Sequence, residues 1–75
     1  MERVIEILEG VKPGVDFRKE EALVDDGILE SFDIITLIAK LNEEFDVEFT
    51  VKEVIPENFN SAEAMWEMIQ RLQDN

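Results

Sequence analysis

Cysteine and histidine are both absent from this chain of 75 residues. With them go disulfides, thiolate or imidazole metal sites, and any Ser/His or Cys/His nucleophilic machinery carried by the chain itself. Cations are scarce too: seven Lys and Arg stand against 19 Asp and Glu, for a formal net charge of -12. Nucleic acid phosphates and anionic membrane surfaces demand the Lys and Arg that are missing, so neither is an expected partner. Basic protein surfaces are, because a charge of this size steers them over about 8 Å of screening length at physiological salt. No apolar run approaches the thickness of a bilayer, and Met1 is followed by Glu2 and Arg3 rather than by a basic and then greasy leader. The expectation is a cytoplasmic monomer. With this many carboxylates, neighbouring acidic pairs arise by chance and signal a solvated surface rather than acid/base catalysis.

What is present is a small globular domain. Hydrophobic residues make up 45% and charged residues 35%, and a single domain spanning residues 1–75 buries only about 60% of its unfolded surface. In "ERVIEILEGV", Val4, Leu8 and Val11 recur at helical spacing with Ile5 and Ile7 alongside, until Gly10 and Pro13-Gly14 end the pattern. From Lys12 to Glu30 no period holds. Val15, Phe17, Leu23, Val24, Ile28 and Leu29 are scattered through that stretch, which reads as an ordered loop with a task rather than as a linker.

Ser31 to Phe45 predicts the central helix, with Ile34, Leu37, Ile38, Leu41 and Phe45 on its core face. Alternation at Val47, Phe49 and Val51 imitates a strand, but no partner strand exists, so a loop and a short helix over Val51 to Ile55, stopped by Pro56, are expected. The last helix is expected to open with Asn60 as N-cap, Glu63 completing a capping box and Phe59 stapled onto Ala64. Ala62, Met65, Ile69 and Leu72 form its buried stripe. The fold class is all-α: three main helices and one short one, with a long first loop.

Two features of "DDGILESFDIITLIAKLNEEF" exceed what a small bundle needs. Phe32, Ile35 and Ala39, three and four residues apart, form a second apolar stripe about 100° to 160° round the helix from Ile34. Either the long loop or the short helix covers it, or it is an exposed strip for a partner, bordered by Glu30, Asn42 and Glu43. The second feature is Ser31. Alone it reads as an N-cap, but it sits in "ESFD" at the head of an amphipathic helix in a very acidic small chain.

In that setting the sequence resembles the carrier protein family, the acyl, peptidyl and D-alanyl carriers that bear a 4'-phosphopantetheine arm. The resemblance spans nearly the whole chain. Glu30, Ser31, Phe32 and Asp33 match the family's Asp-Ser-Leu attachment motif and the Asp that often follows. Leu37, Leu41 and Phe45 match the Leu-x-x-x-Leu-x-x-x-Phe run of the next helix without a gap, and "IPENFNS" is similar to the turn before the last helix. Glu30 replaces the usual Asp and Phe32 the usual Leu, conservative in charge or bulk.

The resemblance implies an acyl carrier: Ser31 receives the arm from coenzyme A through a phosphopantetheinyl transferase, and the arm's thiol holds cargo as a thioester for activating and transferring enzymes. Missing catalytic residues then belong to the partners, and the chain is no enzyme. Glu30, Phe32, Asp33, Ile35, Ala39 and Glu43 become the candidate docking residues. The anionic attachment point would lie at a helix N-terminus, favoured by unpaired N–H groups and opposed by the charges of Glu30 and Asp33. "GILESF" is similar to the G-L-L-D-S-F form of D-alanyl carriers of cell-wall teichoic acid modification, so Leu29 points toward an aminoacyl cargo. The chain's length fits a free-standing carrier better than a piece of a synthetase.

Two other readings compete. "VDDG" imitates a calcium loop, but with Gly27 at the sixth position the first and third ligands would be Ala22 and Val24, so the spacing excludes it. An unmodified acidic interaction module predicts the same charge and stripe, but no serine at the stripe's head.

Overall fold

Four helices are present in the computed structural model, which describes residues 1–74: α1 (Glu2–Val11), α2 (Ser31–Phe45), α3 (Pro56–Phe59) and α4 (Ala62–Gln73). Helix α1 forms where apolar residues recur on one side, and it buries Val4, Ile5, Ile7 and Leu8. It packs against α2 and α4, while α3 packs on α4. The residues between α1 and α2 have no helical period, yet Phe17, Leu23 and Leu29 are driven into the same core as the helices. Central-helix residues Leu37 and Leu41 are fully buried. Ile34, Ile38 and Phe45 pack at the edge of that core, and Phe45 meets Trp66 edge to face with ring centroids 5.9 Å apart.

The long segment after α1 is held by backbone bonds and by one side chain. Pro13 turns the chain, and Gly14 adopts a φ of +89° that a side chain would resist. Gly27 does the same at +75°, closing a loop whose ends meet where Leu29 N–H donates to the Leu23 carbonyl at 2.8 Å. Asn60 then clamps the segment from the far side. Its Oδ1 accepts from the amides of Val24 and Asp25 at 3.0 and 3.1 Å, its Nδ2 donates to Asp25 Oδ2 at 3.2 Å, and its carbonyl accepts from Leu23 N–H at 2.9 Å.

The short helix lies later than the expected Val51 to Ile55. Pro56 opens α3 instead of stopping a helix before it, because a fixed φ and a missing N–H are harmless at the first helical position. Ile55 is extended, as a residue before proline prefers to be. Val51, Val54 and Ile55 are left exposed on the loop.

The start of α4 also differs. Asn60 is not its N-cap: Ser61 is, and Ser61 Oγ accepts from Ala64 N–H at 3.0 Å. Ala64 therefore takes the third helical position that Glu63 was expected to fill, and no capping box forms there. Phe59 is buried in the core. Within α4, Ala62, Met65 and Ile69 are buried as the stripe requires, Met68 joins them, and Leu72 is only half-buried.

Removing the clamp leaves two loop amides without their acceptor, so Asn60→Ala should lower unfolding stability in denaturant titrations by about 1 to 3 kcal/mol. A change within about 0.5 kcal/mol, as at an ordinary surface position, would show that the buried leucines alone hold the segment.

Candidate functional site

Leu29 is the last buried residue before α2. Because its side chain is anchored in the core and its amide is tied to Leu23, the two residues that follow have little freedom in where they emerge. Glu30 is extended at the N-cap, with φ -99° and ψ 170°, and Ser31 is the first residue of the helix. Ser31 thus sits one position beyond the N-cap that its type suggests, and the capping work falls to its neighbours. Its side chain is exposed and its Oγ has no hydrogen-bond partner among the described residues.

The first intrahelical bond of α2 runs from Ile34 N–H to the Glu30 carbonyl at 3.0 Å. The amides of Ser31, Phe32 and Asp33 consequently have no helical carbonyl to donate to; that of Asp33 is met by the Glu30 side chain in a capping box, and those of Ser31 and Phe32 gather partial positive charge beside the serine hydroxyl. Asp33 folds back across this turn. Its Oδ2 accepts from Glu30 N–H at 3.0 Å and from Lys12 Nζ at 3.1 Å. The Asp33 side chain is 15% exposed and that of Lys12 36%.

The Glu30 amide, and then the Lys12 ammonium, hold the Asp33 carboxyl below its ordinary value. Of the two carboxylates flanking the serine, one is therefore paired and turned into the turn, and Glu30 alone stands exposed. Spacing could not reveal the part played by Lys12. It follows α1 as its C-cap residue, and only the docking of α1 on α2 brings it to Asp33.

The second apolar stripe is uncovered. Phe32 is 78% exposed and Ile35 67% exposed, and Ala39 is exposed with them. Neither the long loop nor α3 lies over the strip, which overturns the covered alternative. Thr36 Oγ1 donates to the Phe32 carbonyl at 3.1 Å, a contact within the helix that leaves the apolar face free. Glu43 is exposed one turn beyond Ala39 and, with Lys40 and Glu44, lines an open groove between α2 and α1 that Arg3, Glu6, Ile7 and Gly10 complete. Arg3 is committed there, bound to Glu6 at 2.8 Å and to Glu44 at 2.7 Å. Its guanidinium hydrogen bond lowers the Glu44 pKa from the usual carboxylate value.

Of the six candidate docking residues, Phe32, Ile35, Ala39, Glu30 and Glu43 are thus exposed on α2 or at its head, while Asp33 is engaged inside the first turn. Among the described residues, no group of three or more acidic side chains is placed to hold a metal ion and no helix is long and apolar enough to cross a membrane.

Comparison with known proteins gives a relative for this arrangement. The chain is 32% identical over 71 residues to aminoacyl carrier protein 1 of Bradyrhizobium diazoefficiens, an alignment that covers 89% of this chain and 78% of that protein. No family model matches, and no solved structure matches.

Asp33 makes a pH-dependent contribution whose sign follows from its depressed pKa. The folded state favours the ionised carboxylate, so its stabilisation is present in full above the unfolded value, about 3.9. That stabilisation drains away as pH falls below this value and through the lower folded one. The gap in melting temperature between the native chain and Asp33→Ala should be widest above about pH 5 and should close on acidification. A gap that does not vary with pH would mean that the carboxylate's ionisation contributes nothing.

Proposed function

The chain belongs to the acyl carrier protein family, and from that membership we propose that it carries an acyl or aminoacyl group as a thioester on a 4'-phosphopantetheine arm attached to Ser31. A carrier role follows from the family. The attachment point rests on one observation: Ser31 is an exposed, unpartnered hydroxyl among the described residues, at the first position of α2 and two residues after Leu29, which is buried in the core.

The site suits the group. An arm rooted at Ser31 leaves directly into solvent, and a phosphodiester at this position would lie beside the amides of Ser31 and Phe32, which lack helical acceptors. Pairing of Asp33 with Lys12 removes one of the two charges that would repel it. In the loading step the Ser31 oxygen forms the new bond to phosphorus, the bond from phosphorus to the adenosine bisphosphate portion of coenzyme A breaks, and the hydroxyl proton leaves to a base of the transferase. The arm supplies a terminal thiol that a chain without cysteine does not have. No base is needed from this chain, which acts as the substrate of its partner enzymes rather than as an enzyme.

Phe32, Ile35 and Ala39 would then form the apolar centre on which those enzymes dock, with Glu30 and Glu43 at its ends to meet a basic rim. Charge sets the rate of encounter and apolar contact sets its lifetime. Asp33 serves this face by shaping the first turn, not by offering a free charge. For the cargo, Leu29 and the similarity to an aminoacyl carrier both favour an amino acid, with D-alanine for cell-wall teichoic acid modification as the specific alternative.

Incubation with a phosphopantetheinyl transferase and coenzyme A should add one phosphopantetheinyl mass, and Ser31→Ala should stay unmodified while keeping its helical circular dichroism. Because Glu30 and not Ser31 occupies the N-cap, the alanine variant should melt close to the native chain. Modification at Ser61 would displace the assignment, and no modification would favour the unmodified interaction module.

The docking face has its own test. Ile35→Glu should slow loading by an activating enzyme strongly while shifting stability by no more than about 0.5 kcal/mol. Leu41→Ala, a fully buried control, should cost about 2 to 5 kcal/mol. If Ile35→Glu unfolds the domain as Leu41→Ala does, the strip is structural.

A further inference from the structure

Among the described residues, Lys12 is the one cation that forms an ion pair within the first turn of α2. It is the C-cap residue of α1, and its backbone N–H donates to the Leu8 carbonyl at 2.8 Å. That bond fixes the start of the side chain at the end of a helix whose terminal carbonyls themselves favour a positive charge. From there Nζ reaches Asp33 Oδ2, the same oxygen that accepts the Glu30 amide, and Glu30 is bonded directly to Ser31. The chain of contacts from α1 to the serine is therefore three links long and passes through one oxygen atom. Among the seven cations only Arg3, Lys12 and Arg18 form ion pairs among the described residues, and those of Arg3 and Arg18 lie with Glu6, Glu44 and Glu2, away from the turn.

We propose that Lys12 is a positioning residue for the modification of Ser31: through Asp33 it locks the Glu30–Ser31 backbone so that the hydroxyl is presented in one orientation. This rests on the assignment of Ser31 as the attachment point. The pair is less exposed than an ordinary surface ion pair, and it closes on an oxygen already held by a backbone amide. Its geometry is thus set by the helix end as well as by charge. Without the ammonium, Asp33 keeps its bond to the Glu30 amide but loses its tie to α1, and the first turn samples other arrangements. Misplacement of a reacting group by a fraction of an ångström is enough to slow a transfer.

Charge alone predicts the opposite effect, which makes the role testable. Replacing Lys12 by a neutral residue makes an acidic chain more acidic, so attraction to a basic transferase can only strengthen. Lys12→Met should nevertheless lower the kcat of phosphopantetheinyl transfer by about three- to tenfold without raising KM. Lys12→Arg, which can still reach a carboxylate, should restore most of the rate. Lys19→Met removes the same charge from an exposed loop position that makes no ion pair among the described residues, and it should leave kcat unchanged.

Amide hydrogen exchange supplies a readout free of the transferase: the Glu30 amide should exchange faster in Lys12→Met than in the native chain or in Lys12→Arg. A Lys12→Met chain modified as fast as the native one, or a loss that appears equally in Lys19→Met, overturns the role of Lys12 while leaving Ser31 as the attachment point. So does a Glu30 amide whose exchange is unaltered. A native chain that takes no group at Ser31 overturns the functional reading and this role with it.

Discussion

Holding in one shape the non-helical segment that leads into Ser31 at the head of α2 is the constraint on which the rest of this structure depends. The residues between α1 and α2 cannot use a helical ladder to hold their shape. They are instead fastened from two sides. Phe17, Leu23 and Leu29 are buried among the helices, and Asn60, at the junction of α3 and α4, satisfies the amides of Val24 and Asp25. Apolar burial fixes where the segment lies but is non-directional. The Asn60 bonds add direction, and the Leu29 to Leu23 bond brings the chain back to the head of α2. In this light α3 and its turn are part of what aims Ser31, although they lie far from it in sequence.

Helix α2 carries two unrelated demands on its two sides. Leu37 and Leu41 anchor it in the core, and Phe32, Ile35 and Ala39 leave an apolar strip in water that folding does not need. Under the proposed function, this uncovered strip is the surface on which partners dock. On that reading, its nearness to Ser31 on the same helix would put a partner seated on the strip beside the attachment point, so that one rigid element would provide both recognition and delivery.

Three of the seven cations are placed in ion pairs among the described residues. Arg3 and Arg18 fasten carboxylates on α1 and α2, with Arg18 reaching Glu2 at 2.5 Å. These exposed pairs contribute little to stability singly. What they and Lys12 share is that each bridges segments distant in the chain. The remaining surface carries Lys19, Lys40, Lys52 and Arg71 among a large excess of carboxylates, which favours basic partners and disfavours self-association through like charge.

Much of this was determined by the sequence alone. Period and breakers marked α1, α2 and the body of α4, because helical spacing of apolar residues is a local property and hydrophobic burial acts on it directly. The acidic balance and the "ESFD" stretch marked a carrier and its candidate serine, and the spacing of Phe32, Ile35 and Ala39 marked a second stripe. Only the tertiary structure decided the rest. Pro56 began a helix rather than ending one. Ser61 took the cap of α4, while Asn60 was drawn to loop amides 36 and 35 positions away. Lys12 found Asp33 only because α1 and α2 dock side by side. Each of these is a choice among polar partners with nearly equal local preference. Such a choice is settled by which partner the packed core brings within hydrogen-bonding distance, a quantity that no stretch of neighbouring residues contains.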